Sequence, residues 1–257
     1  MSPKSLEWNR WQTIRTYVRR ETRMTPAQKR ALETLLPLYG LDPAQPLDPQ
    51  VVFGRVAPLV MEIGMGDGEH MLWQAQRHPE KDFIGVEVYR PGVGKFLRAL
   101  HQAGLSNVRV YVADARDVLL RAIPDAALDE VQIFFPDPWP KKRHHKRRLI
   151  SPPFVALLAR KLKPGGVLHL STDWPDYAQH MLEVLNASGA FVNLSPTGDF
   201  HPEAASRRRP TKYERRARAE GRTIYDLLFQ RVSTSPWYNG EKTGSSADDP
   251  SGPSAGR

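Results

Sequence analysis

Four carboxylates stand at matching places in this chain, each within or just past a short apolar run. Glu62 belongs to Leu59-Val60-Met61-Glu62-Ile63 and precedes the turn Gly64-Met65-Gly66-Asp67-Gly68. Glu87 follows Phe83-Ile84-Gly85-Val86, Asp114 follows Val110-Tyr111-Val112-Ala113, and Asp137 follows Phe134-Phe135-Pro136. Glycines permit a tight turn and close backbone approach to a ligand, so Gly64 and Gly66 read as a nucleoside loop. Glu87 lies about 20 residues beyond the last glycine, where an acid can accept both ribose hydroxyls. A glycine turn alone is a weak signal. Acids in register at three strand ends are rarely produced by random surface charge.

Glu62 also discriminates between ligands. A carboxylate at the front of the turn repels a pyrophosphate and attracts a cation. The loop therefore suits S-adenosylmethionine, with its sulfonium and ammonium groups and no phosphate, better than NAD.

Asp137 sits inside Pro136-Asp137-Pro138-Trp139-Pro140, and the run Lys141-Lys142-Arg143-His144-His145-Lys146-Arg147-Arg148 that follows carries six cations. Prolines restrict the backbone, and a carboxylate fixed between them beside a cofactor pocket has no evident packing role. Trp139 reads equally well as core packing or as a platform for an extruded base. A charge run is usually a solvated face. Leaving directly from the acidic loop, this one also places phosphate contacts beside the chemistry. His144 and His145, among six cations with no nearby acid, make a poor zinc site, and no metal is expected.

Such groups need a scaffold that gathers strand ends. Strands are expected at Leu59 to Ile63, Phe83 to Val88, Val108 to Val112, Glu130 to Phe135 and Val167 to Ser171. Helices should lie between them, around Met71 to Arg77, Gly92 to Ala103, Val118 to Ala122 and Phe154 to Leu162. Alternating strands and helices with nearly continuous apolar strands imply an α/β fold with a parallel sheet covered on both faces, whose ligands bind at the carboxyl ends of the strands. A helix near Tyr177 to Ser188 and strands near Phe191 to Leu194 and Thr223 to Val232 should complete it. Thr25-Pro26-Ala27-Gln28 combines a cap hydroxyl, a proline at the first helical position and a capping-box Gln, predicting a helix through Leu38. The expected division is a basic arm, helix and linker over 1–56, the main domain over 57–239, and a polar, disordered tail over 240–257.

At 257 residues with 40% hydrophobic content, the chain can bury one sizeable core. Its net charge of +9 favours an anionic partner, nucleic acid or a membrane surface. With no Cys, disulfides, thiolate nucleophiles and Cys-bound zinc are excluded. No apolar run is long enough for a membrane span or a signal peptide, so a soluble, cytoplasmic protein is expected.

The motifs together resemble the bacterial tRNA (guanine-N7-)-methyltransferases, within the class I S-adenosylmethionine-dependent enzymes. The resemblance rests on Phe135 to Arg148, on Arg90-Pro91-Gly92-Val93, on Ser171-Thr172-Asp173-Trp174 and on Arg209-Pro210-Thr211-Lys212-Tyr213-Glu214, in that family's order, and runs from about Arg19 to Arg231. Tyr213 stands where many relatives have Phe, and Thr22 and Ala217 replace common glycines.

The resemblance implies a Rossmann-like sheet with an antiparallel C-terminal strand, and methylation of guanine N7 in the variable loop of tRNA. It implies that Glu62, Gly64 and Gly66 hold the methionine part of the cofactor, Glu87 the ribose and Asp114 the adenine amino group. Asp137 is the catalytic candidate and also faces the cofactor. Lys141, Asp173, Thr211, Lys212, Tyr213 and Glu214 are the substrate candidates, with Glu214 reading the guanine amino edge. Arg143, His144, His145, Lys146, Arg147 and Arg148 are expected on the RNA. An adenine amino-group methyltransferase, a noncatalytic RNA-binding protein on the same fold and an NAD-dependent dehydrogenase are the competing readings. Monomer and homodimer both stay open.

Overall fold

The computed structural model describes residues 13–18 and 23–232. Arg10, Arg19, Arg20 and Thr22 of the expected arm, and the 240–257 tail, lie outside the described residues.

Seven strands form one sheet. Their order across it is β3 (Val108–Tyr111), β2 (Asp82–Val86), β1 (Leu59–Ile63), β4 (Leu128–Phe134), β5 (Leu162–Thr172), β7 (Tyr225–Arg231) and β6 (Phe191–Asn193). The first five run parallel, and β7 is antiparallel to both β5 and β6. Every residue of β1 and β2 is buried, as a strand covered on both faces requires. Alternation along β1 divides the core: Leu59, Met61 and Ile63 join one apolar cluster and Val60 the other. From β1 the chain winds outward to β3, then crosses back to β4. That reversal opens a crevice at the carboxyl ends of β1 and β4.

Helices supply the crossovers that parallel strands need. In chain order they are α1 (Pro26–Thr34), α2 (Leu36–Tyr39), α3 (Pro49–Phe53), α4 (Glu69–Arg77), α5 (Arg90–Ala103), α6 (Ala115–Arg121), α7 (Pro152–Lys161), α8 (Pro175–Ala187) and α9 (Lys212–Ala219), with short 3-10 turns at Lys142–Arg147 and Ala204–Arg207. The Thr25/Gln28 capping box forms at the start of α1. The helix predicted through Leu38 is instead two pieces, because Pro37 has no N–H to continue the ladder.

Residues 40–56, expected to be a linker, are laid against the domain. Gly40 bridges Val110, Leu47 is buried and donates its N–H to the Ala122 carbonyl, and Asp48 caps α3. Strand β5 begins at Leu162, five residues before the predicted Val167. Lys163-Pro164-Gly165-Gly166 looks like a turn, yet Leu162 pairs with Leu128, and the register shifts between Leu128 and Glu130.

Candidate active site

A cavity of about 810 Å³ opens at the carboxyl ends of the parallel strands, and Gly64, Gly66, Glu87, Asp114 and Asp137 all line it. The glycine loop turns through three positive-φ residues: Gly64, Gly66 and Gly68 have φ of 75°, 62° and 66°. Their N–H groups are all committed within the protein. Gly64 donates to the Val86 carbonyl at 2.8 Å, Gly66 to Glu87 Oε2 at 2.8 Å, and Gly68 to the Met65 carbonyl at 2.9 Å. A pyrophosphate would need such donors turned toward it, and these three glycines do not offer them.

Glu87 is the pivot of the loop. Besides Gly66, it accepts the N–H of Val88 at 2.7 Å and of Tyr89 at 2.8 Å through Oε1. Asp114 caps α6 by accepting the Arg116 N–H at 2.9 Å and pairs with the Arg116 guanidinium at 2.8 Å. Glu62 departs from expectation. It is buried beneath the loop, 3.2 Å from His70 Nδ1, and does not line the cavity. Mid-strand residues on a sheet covered on both faces point into a packed layer, and Glu62 shares that fate with a polar neighbour.

The loop carrying Asp137 is held in an unusual backbone shape. Phe135 and Trp139 have φ of 53° and 47°, a region that costs an aromatic residue roughly 1–3 kcal/mol and persists only where the surroundings over-determine it. Several contacts do so. The N-terminal segment crosses the loop, with Trp139 Nε1 donating to the Thr16 carbonyl at 3.1 Å and the Val18 N–H donating to Asp137 Oδ2 at 2.9 Å. Arg116 reaches the same segment at the Ile14 carbonyl, 2.6 Å away. Arg147 lies 4.9 Å from the Trp139 ring centroid, and Phe135 stacks on Tyr213 at 6.5 Å. Thr16, Tyr17 and Val18 consequently line the cavity, a role their sequence did not suggest.

Lys141, Arg143 and Lys146 are exposed, while His144, His145 and Arg147 are half-buried. His144 is held below its ordinary imidazole value by partial desolvation and by the cations of Arg143, Arg147, Lys141 and Lys146. Arg148 was expected on the RNA with them, but it is buried against Pro138, Asp176 and Tyr177. A buried guanidinium held by a carbonyl, a carboxylate and an aromatic ring of the same chain is a structural group.

The Arg209 to Glu214 segment is split in the same way. Lys212 and Tyr213 line the cavity, and Lys212 Nζ lies 3.5 Å from Asp67 of the glycine loop. Thr211 caps α9 through the Glu214 N–H at 3.2 Å. Glu214, expected to read a base, is buried, and its carboxylate is shared by Arg208 and Arg218. A carboxylate facing two guanidiniums is stabilised where it is, so this structure gives it a packing role. Asp173 is paired with Arg222 and, like Lys141 and Thr211, lies outside the cavity wall.

Arg208 is the hub that sequence reading missed. Its guanidinium, 4% exposed, binds Asp226 of β7, Glu214 of α9 and Ser171 Oγ of β5 at once, and lies 5.1 Å from the Phe134 ring centroid. Its partners come from four separate elements, a pattern invisible in local spacing. Burial alone would raise the Asp226 carboxyl, but bonds from His169 and the charge of Arg208 bring it below the usual range.

Strand order, the antiparallel β7 and acids around a glycine-turn cavity define a class I methyltransferase. The crystal structure of the 16S rRNA methyltransferase KamB shares this fold, with a TM-score of 0.51 over 86% of this chain and 100% of that one at 16% identity. Residues 56–227 match the family described as putative methyltransferases. The tRNA (guanine-N(7)-)-methyltransferase of Alkalilimnicola ehrlichii is 52% identical over 221 residues, 85% of this chain and 92% of its own. That of Nitrosococcus oceani is 53% identical over 219 residues, covering 85% and 91%. The chain belongs to the tRNA (guanine-N(7)-)-methyltransferase family.

Among the described residues, no helix is long and apolar enough to cross a membrane. No group of three or more His, Cys, Asp and Glu among them could hold a metal ion.

Proposed function

We propose that this protein methylates N7 of a guanine in the variable loop of tRNA, using S-adenosylmethionine and forming 7-methylguanosine. One observation carries the reading: Glu87, Asp114 and Asp137, from the ends of three different strands, line a single cavity beside a loop whose three glycine N–H groups are all committed within the protein. That set of acceptors fits a phosphate-free, cationic nucleoside. Glu87 would hold the ribose hydroxyls and Asp114 the adenine amino group, and the cavity volume lies within the range of cofactor sites. The cofactor, when bound, supplies an electrophilic methyl group on a sulfonium.

Guanine N7 carries a lone pair and no proton, so the protein needs no general base. Its task is to align the base and to stabilise the positive charge the purine gains. Asp137 would serve the second of these, on a loop braced from both flanks. Lys141, Arg143, Lys146 and Arg147 would meet phosphates beyond the Asp137 loop, while Lys212, Tyr213 and Arg216 line the cavity itself. A base must leave its stack, or come from an irregular region, to reach a donor at this depth. A tRNA substrate places the enzyme in the cytoplasm.

The test is to incubate the protein with labelled S-adenosylmethionine and unmodified tRNA, digest, and identify the nucleoside by mass. Label in 7-methylguanosine is expected, whereas label in a methylated adenine would favour the amino-group reading. Asp137→Ala should lower kcat by about 100-fold or more with tRNA affinity retained, and a normal rate would remove Asp137 from the mechanism.

A further inference from the structure

The basic run is two-sided, and its last residue belongs to the inner side. Arg148 is 2% exposed, whereas Lys141, Lys142, Arg143 and Lys146 are open to solvent. Its Nε donates to the Pro138 carbonyl at 3.0 Å, its Nη2 pairs with the Asp176 carboxylate in the first turn of α8, and its guanidinium carbon lies 4.8 Å from the Tyr177 ring centroid. The same turns of α8 hold the segment beyond it: Tyr177 Oη accepts the Ile150 N–H at 3.1 Å, and His180 Nε2 meets the Ile150 carbonyl at 2.9 Å. The hydrogen bond from Arg148 holds the Asp176 carboxyl below the usual carboxylate range, so this ion pair persists across neutral pH.

Pro138 is the residue after Asp137, and its carbonyl belongs to the peptide leading into Trp139, whose φ is 47°. A donor fixed on that oxygen selects one orientation of this peptide, and with it the direction in which the preceding residue is presented. The guanidinium, 2% exposed, already holds a carboxylate, a carbonyl and an aromatic face, with which an RNA phosphate would have to compete.

We infer that Arg148 is a positioning residue: anchored on Asp176 and Tyr177 of α8, it holds the Pro138 carbonyl and thereby aims Asp137 into the cavity, and it makes no contact with RNA. This rests on Asp137 being the catalytic carboxylate. The two ideas fail separately. Absence of 7-methylguanosine with the unaltered protein removes the proposed function. An active protein whose Arg148 variants keep their kcat removes only this inference.

The experiment compares Arg148→Ala, Arg148→Lys, Asp176→Asn and the Arg148→Ala/Asp176→Asn double variant with Arg147→Ala. For each, kcat and KM are measured at saturating cofactor, and tRNA Kd is measured across a salt series. Arg148→Ala should lose about 10- to 100-fold in kcat, as small misplacements of a reacting group do, with Kd within about twofold and an unchanged salt slope. Asp176→Asn should lower kcat less, and should add nothing further to Arg148→Ala. Millimolar guanidinium should restore part of the kcat of Arg148→Ala, an effect a general loss of stability would not show. Should Arg148→Ala fail to fold, Arg148→Lys and Asp176→Asn carry the same comparison of kcat against Kd. Arg147→Ala should flatten the slope by about 0.7 to 0.9. The inference is overturned by variants at 148 that weaken tRNA binding and flatten its salt dependence, or by Asp176→Asn with wild-type kcat.

Discussion

Gly92→Ala tests whether the cofactor loop is held where the structure puts it. Gly92 is buried in the first turn of α5, and a Cβ there would lie 2.6 Å from the Gly66 carbonyl oxygen and 3.1 Å from the Gly66 carbonyl carbon. Ordinary contact begins at 3.4 Å, so one side must retreat by about 0.8 Å; the nearest of the three crowded atoms is backbone, and the Tyr89 ring carbon Cδ1, at 3.0 Å, is the one side-chain atom among them. The Gly66 N–H is also the group held by Glu87. Loop and Glu87 therefore shift together. Overpacking of this kind costs about 1–3 kcal/mol, and where the wall of a binding site absorbs it, affinity falls by about 5- to 150-fold. Alanine is also the better helix former by about 1 kcal/mol, which offsets part of the loss in stability. Gly104→Ala is the matched control. Its φ is 64° and nothing lies within 4 Å, so the cost is about 1 kcal/mol of backbone strain, a fall in Tm of about 2–4 °C, and no change in cofactor affinity. Calorimetric titration with S-adenosylmethionine beside thermal unfolding separates the two outcomes. Gly92→Ala binding within twofold of the unaltered protein would refute the argument.

Replacing Arg143, Lys146 and Arg147 together by Ala should weaken tRNA binding and reduce the slope of log K against log salt by about 2 to 3. An unchanged slope would make the run a solvated face. Stability should also depend on pH through the His169 and Asp226 pair. Burial holds the His169 imidazole below its ordinary value, against the opposing pull of Asp226. Below about pH 6.5 the unfolded chain therefore takes a proton that the folded chain refuses, and stability declines as pH falls through that window. Asp226, depressed by His169 and Arg208, contributes above about pH 4 and loses its contribution below it. Tm should drop between about pH 7.5 and about pH 5.5, and His169→Gln should flatten that slope; an unchanged slope would show that other groups set it.

What could be read from the sequence was whatever local pattern controls. Continuous apolar runs located the strands, and glycines followed by spaced acids located Gly64, Gly66, Glu87, Asp114 and Asp137, which the sheet then brings to one cavity. What escaped depends on partners far away in the chain. Glu62 shares the strand-end pattern of the other acids, but its place within β1 turns it under the loop toward His70. Arg148 is indistinguishable by composition from Arg147, and only α8 reveals which of them faces inward. Val18 reaches Asp137 across 119 residues of sequence, and no spacing rule links them. Glu214 looked like a reader of bases until Arg208, itself set by Asp226, took up its carboxylate.

β7 follows β6 in the chain yet lies inside the sheet, between β5 and β6, and carries the Asp226 that anchors Arg208. A ribosome delivers strands in order, so until β7 emerges β5 has an open edge, β6 has no strand to pair with, and the Arg208 charge lacks a carboxylate from β7. An unpaired edge recruits other chains, and late, long-range pairing prolongs that exposure. A chain interrupted before Tyr225 would therefore keep the parallel strands that line the cavity but leave β5 with an open edge and Arg208 without Asp226, the residue that sets it beside α9.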